Sequence, residues 1–505
     1  MTLRQKYDIF QRRMRKLDLS DALATVHAYH GHIVDRRPLP WGVGVGMPPD
    51  YNLRSGAHPW ELDVLAREVL LNAGTHPNPK ARLASFEDFG RAINAIKKMS
   101  DIGVPSPGAD ALHRHLHRIG HQQFPWQTGR FNRRSAVRFL KVFGTPGVDA
   151  LVRARHGMSV YDLFLLALLC QLRLRETAAF ETAGSALPGV STHVVQAFLQ
   201  SITTTPGAAR TAALSRQVYD DGWAFTWNPL RSHPLIRHNP KLPTSVVCPL
   251  PSFLLTRVTA GVYYDIVREP AFANAFGGAF ETYVGEVIRA ACPSPRFEVA
   301  GEETYHVGKN KKHGVDWRVT DGSATVFIEC KTKRMTVGAR DATDEAALEQ
   351  DIGTLARAIV QHYENIADAL DGRTGWTPDG LPSYMMVVTF ESWYLMSHTV
   401  RRTLQDKVNL KMAEKGLGDM ADRIPYQVVS IIEFEETIAV MGQVGIDAVN
   451  RGKLEEQTRD WEFGPFLQQA FPAERRLTRD TPLFPADEAG LLEPLRQIAG
   501  VPALP

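Results

Sequence analysis

The sequence predicts a two-part protein, with an α/β domain in its second half preceded by a large, mainly α-helical N-terminal region. Three observations lead to this fold class. Apolar residues recur at helical spacing through much of the first 200 residues. A run of β-branched and aromatic residues, Thr325–Lys331, indicates a buried strand in the second half. Helix-like and strand-like segments alternate around that strand, which is typical of α/β domains.

Length and composition indicate a globular chain of several domains. The chain has 505 residues, of which 44% are hydrophobic and 22% are charged. Single cores stop growing at roughly 250–300 residues, so we expect roughly two to four domains. Four widely spaced cysteines argue against a disulfide framework and favour a reducing compartment. No apolar stretch predicts a membrane span or a secretory signal. We therefore expect a cytoplasmic protein without a membrane partner.

Punctuation by proline and glycine suggests four segments. Residues 1–214 are predicted to form the helical region, and residues 215–254 a proline-rich connection with strand-like pieces at 223–227 and 245–248. Residues 255–440 are predicted to form the α/β domain. Residues 441–505 are predicted to add helices and an irregular tail.

Charge is distributed unevenly along the chain. Residues 1–250 contain 31 Lys and Arg against 18 Asp and Glu, whereas the remainder contains 27 against 37. A basic half indicates either a surface for a polyanion or attraction to an acidic half or partner. Within this half Arg130, Arg133 and Arg134 are interleaved with aromatic residues. They are candidates for nucleic-acid contact, and a solvated helix face is the alternative.

The predicted strand Thr325–Lys331 ends in a glutamate and a lysine. Side chains alternate along a strand, so Glu329 and Lys331 project from the same face. Charged side chains at the end of an apolar strand are rarely buried unless they are paired or functional. An Asp-Gly turn at Asp321 predicts a hairpin that brings Asp316 beside Glu329. Two adjacent carboxylates would repel each other, and a hard cation such as Mg²⁺ would resolve that repulsion.

A helix predicted from Phe272 to about residue 291 precedes this hairpin. Phenylalanines at helical spacing mark its apolar face, and Gly277, Glu281 and Gly285 follow an adjacent line. Glycines there allow close approach to the sheet and leave Glu281 as the projecting group. Glu281 is therefore a candidate for a further ligand or for a base that holds a metal-bound water.

Together these residues resemble the core of the PD-(D/E)XK nuclease superfamily, which has the restriction-endonuclease-like fold. The resemblance covers roughly residues 255–440 and implies a mixed sheet flanked by helices, with 384–390 and 426–432 as later strands. It implies that the metal ligands are Asp316, Glu329 and the backbone carbonyl of Cys330. It also implies that Lys331 is the catalytic lysine and Glu281 the helix acid. Val315 stands where the family name has proline, and Gln361 has the wrong spacing for the Gln-x-x-x-Tyr signature of some members.

The resemblance implies a Mg²⁺-dependent endodeoxyribonuclease, with Mn²⁺ as a possible substitute and DNA as the binding partner. A nuclease domain with a large accessory region resembles bacterial restriction or anti-phage defence effectors. Dimers are frequent in this fold, so we expect a homo-oligomer or a partner subunit. Two alternatives stay open: a catalytically inactive nuclease fold that binds nucleic acid or assembles a complex, and an RNase of the same fold.

Further basic residues surround the predicted site. The segment before Asp316, residues 308–314, contains Lys309, Lys311 and Lys312, and is expected to be either a phosphate-gripping loop or a charged hairpin turn. Lys333 and Arg334 follow the predicted catalytic lysine, and they are expected to contact the phosphate backbone or solvent.

Overall fold

The chain folds into two compact units. The structure, a computed structural model, describes residues 2–76, 78–100, 109–127, 132–237, 239, 241–340, 344–395, 397–491 and 493. Unit 1 contains the described residues of Met1–His115, Gln122–Phe272 and Leu491–Pro505. Unit 2 contains those of Leu116–His121 and Ala273–Gly490. The contacts thus divide the chain at Phe272, downstream of residue 255, and they group 441–490 with unit 2.

Unit 1 is mainly helical and has a small four-stranded sheet, as expected for a large helical N-terminal region. Its helices are α1 (Leu3–Met14), α2 (Leu19–Ile33), α3 (Leu53–Gly56), α4 (Pro59–Asn72), α5 (Phe86–Ser100), α6 (Ala109–Gln127), α7 (Arg133–Phe143), α8 (Pro146–His156), α9 (Val160–Glu176), α10 (Thr192–Ser201), α11 (Pro206–Leu214), α12 (Pro251–Val258) and α13 (Tyr263–Ile266). Short 3₁₀ helices are Trp223–Phe225, Pro229–Arg231 and Ala260–Val262. Its strands are β1 (Ala179–Glu181), β2 (Thr203–Thr204), β3 (Leu235–Ile236) and β4 (Ser245–Val247), in the order β1-β4-β3-β2. The middle of α6 belongs to unit 2.

The core of unit 1 forms where α1, α2 and α5 pack against α4, which is buried on all sides from Glu61 to Leu71. Leu23 and Leu65 are fully buried there, and the ring of Tyr29 stacks on that of Phe89 at 3.7 Å between centroids. Burying one leucine side chain contributes about 1.5–3 kcal/mol, so this core stabilises the packing of the helices.

No single described helix is long and apolar enough to cross a membrane. The helices α8 and α9, which are bent by 63° relative to each other, are together long and apolar enough for a span by length and composition alone. Its most apolar residues, among them Leu163 and Leu166 of α9, are buried within unit 1.

Unit 2 is a mixed α/β structure around a five-stranded sheet. Its helices are α14 (Phe272–Ala291), α15 (Val337–Arg340), α16 (Glu345–Leu370), α17 (His398–Glu414), α18 (Met420–Arg423), α19 (Ile431–Val444), α20 (Ile446–Leu454), α21 (Phe463–Ala470), α22 (Pro472–Asp480) and α23 (Pro485–Gly490). Its strands are β5 (Glu298–Gly301), β6 (Thr304–Val307), β7 (Asn310–His313), β8 (Trp317–Thr320), β9 (Thr325–Lys331), β10 (Ser383–Thr389) and β11 (Tyr426–Ser430). The sheet order is β11-β10-β9-β8-β5, and β6 and β7 form a separate pair.

Strand directions in the large sheet follow from the lengths of the connections. Four residues join β8 to β9, and the two strands pair antiparallel. Oδ1 of Asp321 accepts hydrogen bonds from the amides of Ser323 and Ala324, which fixes that turn. The helices α16 and α17 separate β9, β10 and β11, and these three strands pair parallel. The sheet therefore changes from antiparallel to parallel at β9, its central strand.

Helices cover the two faces of this sheet. Phe327 and Met385 on one face pack with Ile359 of α16 and Leu404 of α17. Trp317 pairs with Ile328, so it lies on the opposite face, where it contacts α14. The buried strands β9 and β10 are almost continuously apolar because helices cover both of their faces.

Several predicted elements are confirmed and others are corrected. The helix α14 and the strands β4 and β9 have nearly the predicted bounds. Residues 223–227 are not a strand, because Trp223–Phe225 forms a 3₁₀ helix. Residues 308–314 are not a loop throughout, because 310–313 form the strand β7. The predicted strand 426–432 ends at Ser430, whose side chain caps α19 by accepting a hydrogen bond from the Glu433 amide.

Candidate active site

The central strand β9 carries a glutamate and a lysine at its C-terminal end. Glu329 and Lys331 project on the same face, as strand alternation predicts. Glu329 is only 4% exposed. Its Oε1 accepts a hydrogen bond from Nζ of Lys331 at 2.5 Å. A buried carboxylate is thus partly neutralised by a lysine two positions along the same strand.

Asp316 lies beside Glu329, immediately before β8. Trp317 pairs with Ile328 in the antiparallel register, and one further step places Asp316 across from Glu329. Oδ2 of Asp316 accepts a hydrogen bond from the amide of Cys330 at 2.6 Å. The side chain of Asp316 therefore extends the pairing of β8 with β9 by one position. The predicted hairpin that brings the two carboxylates together is confirmed.

Glu281 reaches the site from helix α14. Nε1 of Trp317 donates a hydrogen bond to the carbonyl of Glu281 at 3.0 Å. A Cβ on Gly285 would lie 2.1 Å from the Trp317 ring, so glycine is required for this approach of helix to sheet. No described atom lies within 4 Å of a Cβ on Gly277, so the close approach that the sequence predicts for both glycines is observed for Gly285 alone.

Burial and mutual repulsion make the carboxylic acids of this site weaker acids than usual. Burial, followed by the charges of Asp316, Glu302 and Glu329, raises the pKa of Glu281 to about 7. Burial and the charge of Glu329 raise the pKa of Asp316 as well. The pKa of Glu329 is also raised, because burial outweighs the stabilising charge of Lys331. A cation placed among these carboxylates would offset their repulsion.

Lys331 holds its proton firmly. Burial favours its neutral form, but the adjacent carboxylate of Glu329 outweighs burial, and the pKa of Lys331 lies above its ordinary value. The Cys330 thiol, in contrast, has its pKa raised well above the usual range by burial and by the carboxylates around it. Cys330 therefore supplies no thiolate to a ligand.

Glu302 is a further acidic neighbour that sequence patterns did not indicate. Gly301 pairs with Trp317 between β5 and β8, and one further step places Glu302 across from Asp316. Its charge contributes to the raised pKa of Glu281, Asp316 and Glu329. Its Oε2 lies 3.0 Å from Nδ1 of His313. The position of Glu302 depends on the register between β5 and β8, which no local pattern encodes.

His362 is the second neighbour that the sequence analysis missed. It lies on α16, fully buried, with Nδ1 3.5 Å from Oε2 of Glu329. Burial lowers the pKa of His362 to about 3, so the imidazole is neutral. The signal in the sequence is a histidine on the apolar face of a helix, next to Gln361. Gln361 itself is exposed.

The predicted basic residues of unit 2 differ in how free they are. Lys309 and Lys311 are exposed. Three others contact buried or partly buried carboxylates: Lys312 with Asp368 at 2.6 Å, Lys333 with Asp351 at 3.2 Å, and Arg334 with Glu391 at 3.0 Å. Arg334 is also buried against the ring of Phe390. These three ion pairs give Lys312, Lys333 and Arg334 a structural role that their sequence positions did not predict.

The predicted arginines of the basic half lie in unit 1. Arg133 and Arg134 form the first turn of α7, where Arg133 is exposed and Arg134 half-buried. Arg130 lies outside the described residues.

The donor set of the site fits a hard divalent cation. Asp316 and Glu329 supply adjacent carboxylates, and Oε2 of Glu329 is buried with no hydrogen-bond partner among the described residues. Among the described residues, no group of three or more His, Cys, Asp and Glu side chains is placed to hold a metal ion. Mg²⁺ typically binds through one or two carboxylates and completes its shell with water and substrate phosphates. The two adjacent carboxylates are therefore enough protein ligands for such an ion.

Comparisons of this chain with protein-family models, with curated proteins and with solved structures find no match.

Proposed function

We propose that this protein is a metal-dependent nuclease of the PD-(D/E)XK type that cleaves DNA. The observation that carries the proposal is the cluster at the end of β9. Asp316 contacts the Cys330 amide beside Glu329, and Glu329 contacts Lys331. An acidic pair with an adjacent lysine on a central strand is the constellation to which the resemblance points.

The order of elements in unit 2 supports the same proposal. Helix α14 precedes three antiparallel strands, β5, β8 and β9, and helix α16 then leads to the parallel strands β10 and β11. This order resembles that of the restriction-endonuclease-like fold. It also places the ends of β5, β8 and β9 side by side, where the acidic residues gather.

In the proposed reaction Asp316, Glu329 and the carbonyl of Cys330 would hold Mg²⁺ or Mn²⁺. Such an ion, when bound, polarises the phosphodiester and activates water. The Cys330 amide orients Asp316, and Nζ of Lys331 orients Glu329.

Lys331 and Glu281 have complementary roles in this proposal. The protonated Nζ of Lys331 donates hydrogen bonds to a phosphate oxygen and stabilises the negative charge that develops there. The carboxylate of Glu281, with its pKa near neutrality, accepts a proton from the attacking water, whose oxygen bonds to phosphorus. The bond from phosphorus to the leaving oxygen breaks, and that oxygen takes a proton from solvent. Lys331 thus stabilises the developing negative charge on the phosphate, and Glu281 takes up the proton of the attacking water.

The biological setting is proposed by analogy alone. A nuclease unit joined to a large helical unit suits a bacterial restriction or anti-phage defence effector in the cytoplasm. Cleavage of both DNA strands would call for two sites, and hence for a homo-oligomer or a partner subunit.

Cleavage assays on the full chain test the proposal. Supercoiled plasmid, single-stranded DNA and tRNA are incubated with the protein and Mg²⁺, Mn²⁺ or excess EDTA. We expect metal-dependent cleavage of DNA by the wild type and its loss in Lys331→Ala. Removing Lys331 leaves the buried Glu329 without its counter-charge, so the folding of this variant is checked by thermal unfolding.

The other outcomes also decide the matter. Metal-dependent cleavage of tRNA but not DNA would make the protein an RNase of the same fold. DNA binding without cleavage by the folded wild type would favour the inactive binding or assembly role and overturn the proposal. Cleavage that persists unchanged in Lys331→Ala would place the chemistry elsewhere.

A further inference from the structure

The strands β6 and β7 form a two-stranded hairpin, here called the basic ribbon (residues 304–313). Tyr305 pairs with Lys312, and His306 pairs with Lys311. Directly paired residues lie on the same face and successive residues on opposite faces. The ribbon therefore has one face with Tyr305 and Lys312, and another with His306 and Lys311.

The first face contacts helix α16 of the same unit. The hydroxyl of Tyr305 and Nζ of Lys312 both donate hydrogen bonds to Oδ2 of Asp368, at 2.8 and 2.6 Å. Asp368 lies on α16 and is 3% exposed. The ribbon is thereby fixed to the helix that follows β9, and Lys312 is committed to this attachment.

The second face is exposed and basic. His306, Lys311 and His313 are exposed on it, and Lys309 is exposed at the turn next to Gly308. The ribbon contains no acidic residue. Within the described residues Lys309 and Lys311 form no ion pair, while His313 contacts Glu302 at 3.0 Å.

This face lies close to the candidate active site along the chain. Asp316 lies five positions after Lys311, and a fully extended chain of that length spans at most about 18 Å. A polyanion lying on the ribbon thus has its nearby phosphates within reach of Asp316 and Glu329. The acidic site itself repels phosphate, so a neighbouring basic surface is needed to hold the substrate there.

We propose that the exposed face of the basic ribbon, with Lys309 and Lys311, binds the phosphate backbone of duplex DNA beside the cleaved bond. This inference rests on the proposed function and names the surface that holds its substrate. Lysine contacts of this kind are sequence-independent and depend on salt, because each releases counterions from the DNA. Lys312 takes no part in them.

Binding measurements on the full chain test the ribbon separately from catalysis. A fluorescent 30-base-pair DNA duplex is titrated in EDTA at several salt concentrations, with wild type, Lys309→Ala/Lys311→Ala and a control pair. The control, Lys407→Ala/Lys415→Ala, removes the same charge from one half-buried and one exposed lysine at α17, which pair with Glu349 and Glu364. We expect the ribbon variant to bind roughly tenfold or more weakly at low salt, with a salt slope smaller by about two.

Each result separates the ribbon from the nuclease proposal. Equal affinities and salt slopes in the two variants would overturn the proposal that the basic ribbon binds DNA. Such a result would not affect the nuclease proposal, which depends on cleavage by the wild type. Absence of duplex binding by the wild type would also overturn it. If only the ribbon variant binds DNA more weakly and the wild type cleaves no nucleic acid, DNA binding by the basic ribbon would be supported and the nuclease proposal refuted.

Discussion

The carboxylate of Asp316 supports the fold in one way and strains it in another. Its Oδ2 accepts the Cys330 amide hydrogen bond that holds the open end of the β8–β9 hairpin. Its negative charge, however, is buried beside Glu329, and this raises its pKa. An amide at this position would keep an acceptor oxygen for Cys330 and remove the charge. Fold and proposed chemistry therefore make opposite demands on this residue.

We predict that Asp316→Asn separates those demands. Without divalent ions at pH 8, its midpoint of thermal unfolding should rise by roughly 2–4 °C, equivalent to about 1 kcal/mol for a domain of this size. Its DNA cleavage with Mg²⁺ should fall by at least roughly 100-fold, since a proposed metal ligand is lost. Thermal unfolding and plasmid cleavage measure the two effects. A stability loss together with full activity would contradict the assignment of Asp316 as a ligand.

At the same scale, local rules predicted some site residues and missed others. Strand alternation and one turn sufficed to bring Asp316, Glu329 and Lys331 together, because these residues lie within one hairpin. Glu302 and His362 join the site through contacts between strands and helices distant in the chain. The partners of the basic residues, such as Asp368 for Lys312, are distant too, so sequence could not separate free lysines from paired ones.

At the scale of elements, a helix or strand could be predicted where its own residues favour it, and could not where contacts with distant segments stabilise it. The strand β9 was predicted because its β-branched and aromatic residues suit a covered sheet. Helix α14 was predicted from its apolar stripe. The strand β7 (Asn310–His313) is polar throughout and has little strand propensity, so its formation depends on pairing with β6 and on the attachment to Asp368. No local sequence pattern predicts such a strand.

We predict that two glycine-to-alanine changes on α14 have opposite effects. A Cβ on Gly285 would lie 2.1 Å from the Trp317 ring, so Gly285→Ala must displace α14 or the indole and should cost about 1–3 kcal/mol. Gly277→Ala meets nothing within 4 Å and should stabilise the protein by about 0.5–1 kcal/mol, as alanine favours helix. Denaturant unfolding measures both.

The cleavage rates of the same variants test whether α14 positions Glu281. Gly285→Ala should cleave DNA more slowly at a temperature where it remains folded, whereas Gly277→Ala should match the wild type. Equal stability and activity in the two variants would show that the approach of α14 to β8 does not position the site.

At the scale of the whole molecule, the cluster of carboxylic acid side chains in unit 2 makes the free energy of unfolding depend on pH. Four carboxylates, those of Glu281, Glu302, Asp316 and Glu329, act on one another around Lys331. An unfolded glutamate has a pKa of about 4.3, whereas that of folded Glu281 is about 7. Between these values the folded chain holds a proton that the unfolded chain has released. The contribution of Glu281 to stability is therefore full below about pH 4 and is lost as the pH rises towards about 7.

We predict that this loss is visible in divalent-free buffer and is reversed by metal. Between pH 5 and pH 8 the unfolding midpoint of the wild type should fall more than that of Glu281→Gln, which cannot lose the proton. Addition of Mg²⁺ at pH 8 should raise the midpoint of the wild type, because a ligand that binds only the folded state stabilises it by mass action. The same addition should leave Asp316→Asn nearly unchanged. Parallel pH profiles for wild type and Glu281→Gln would remove Glu281 from the acidic cluster, and an equal Mg²⁺ response in Asp316→Asn would locate metal binding at other residues.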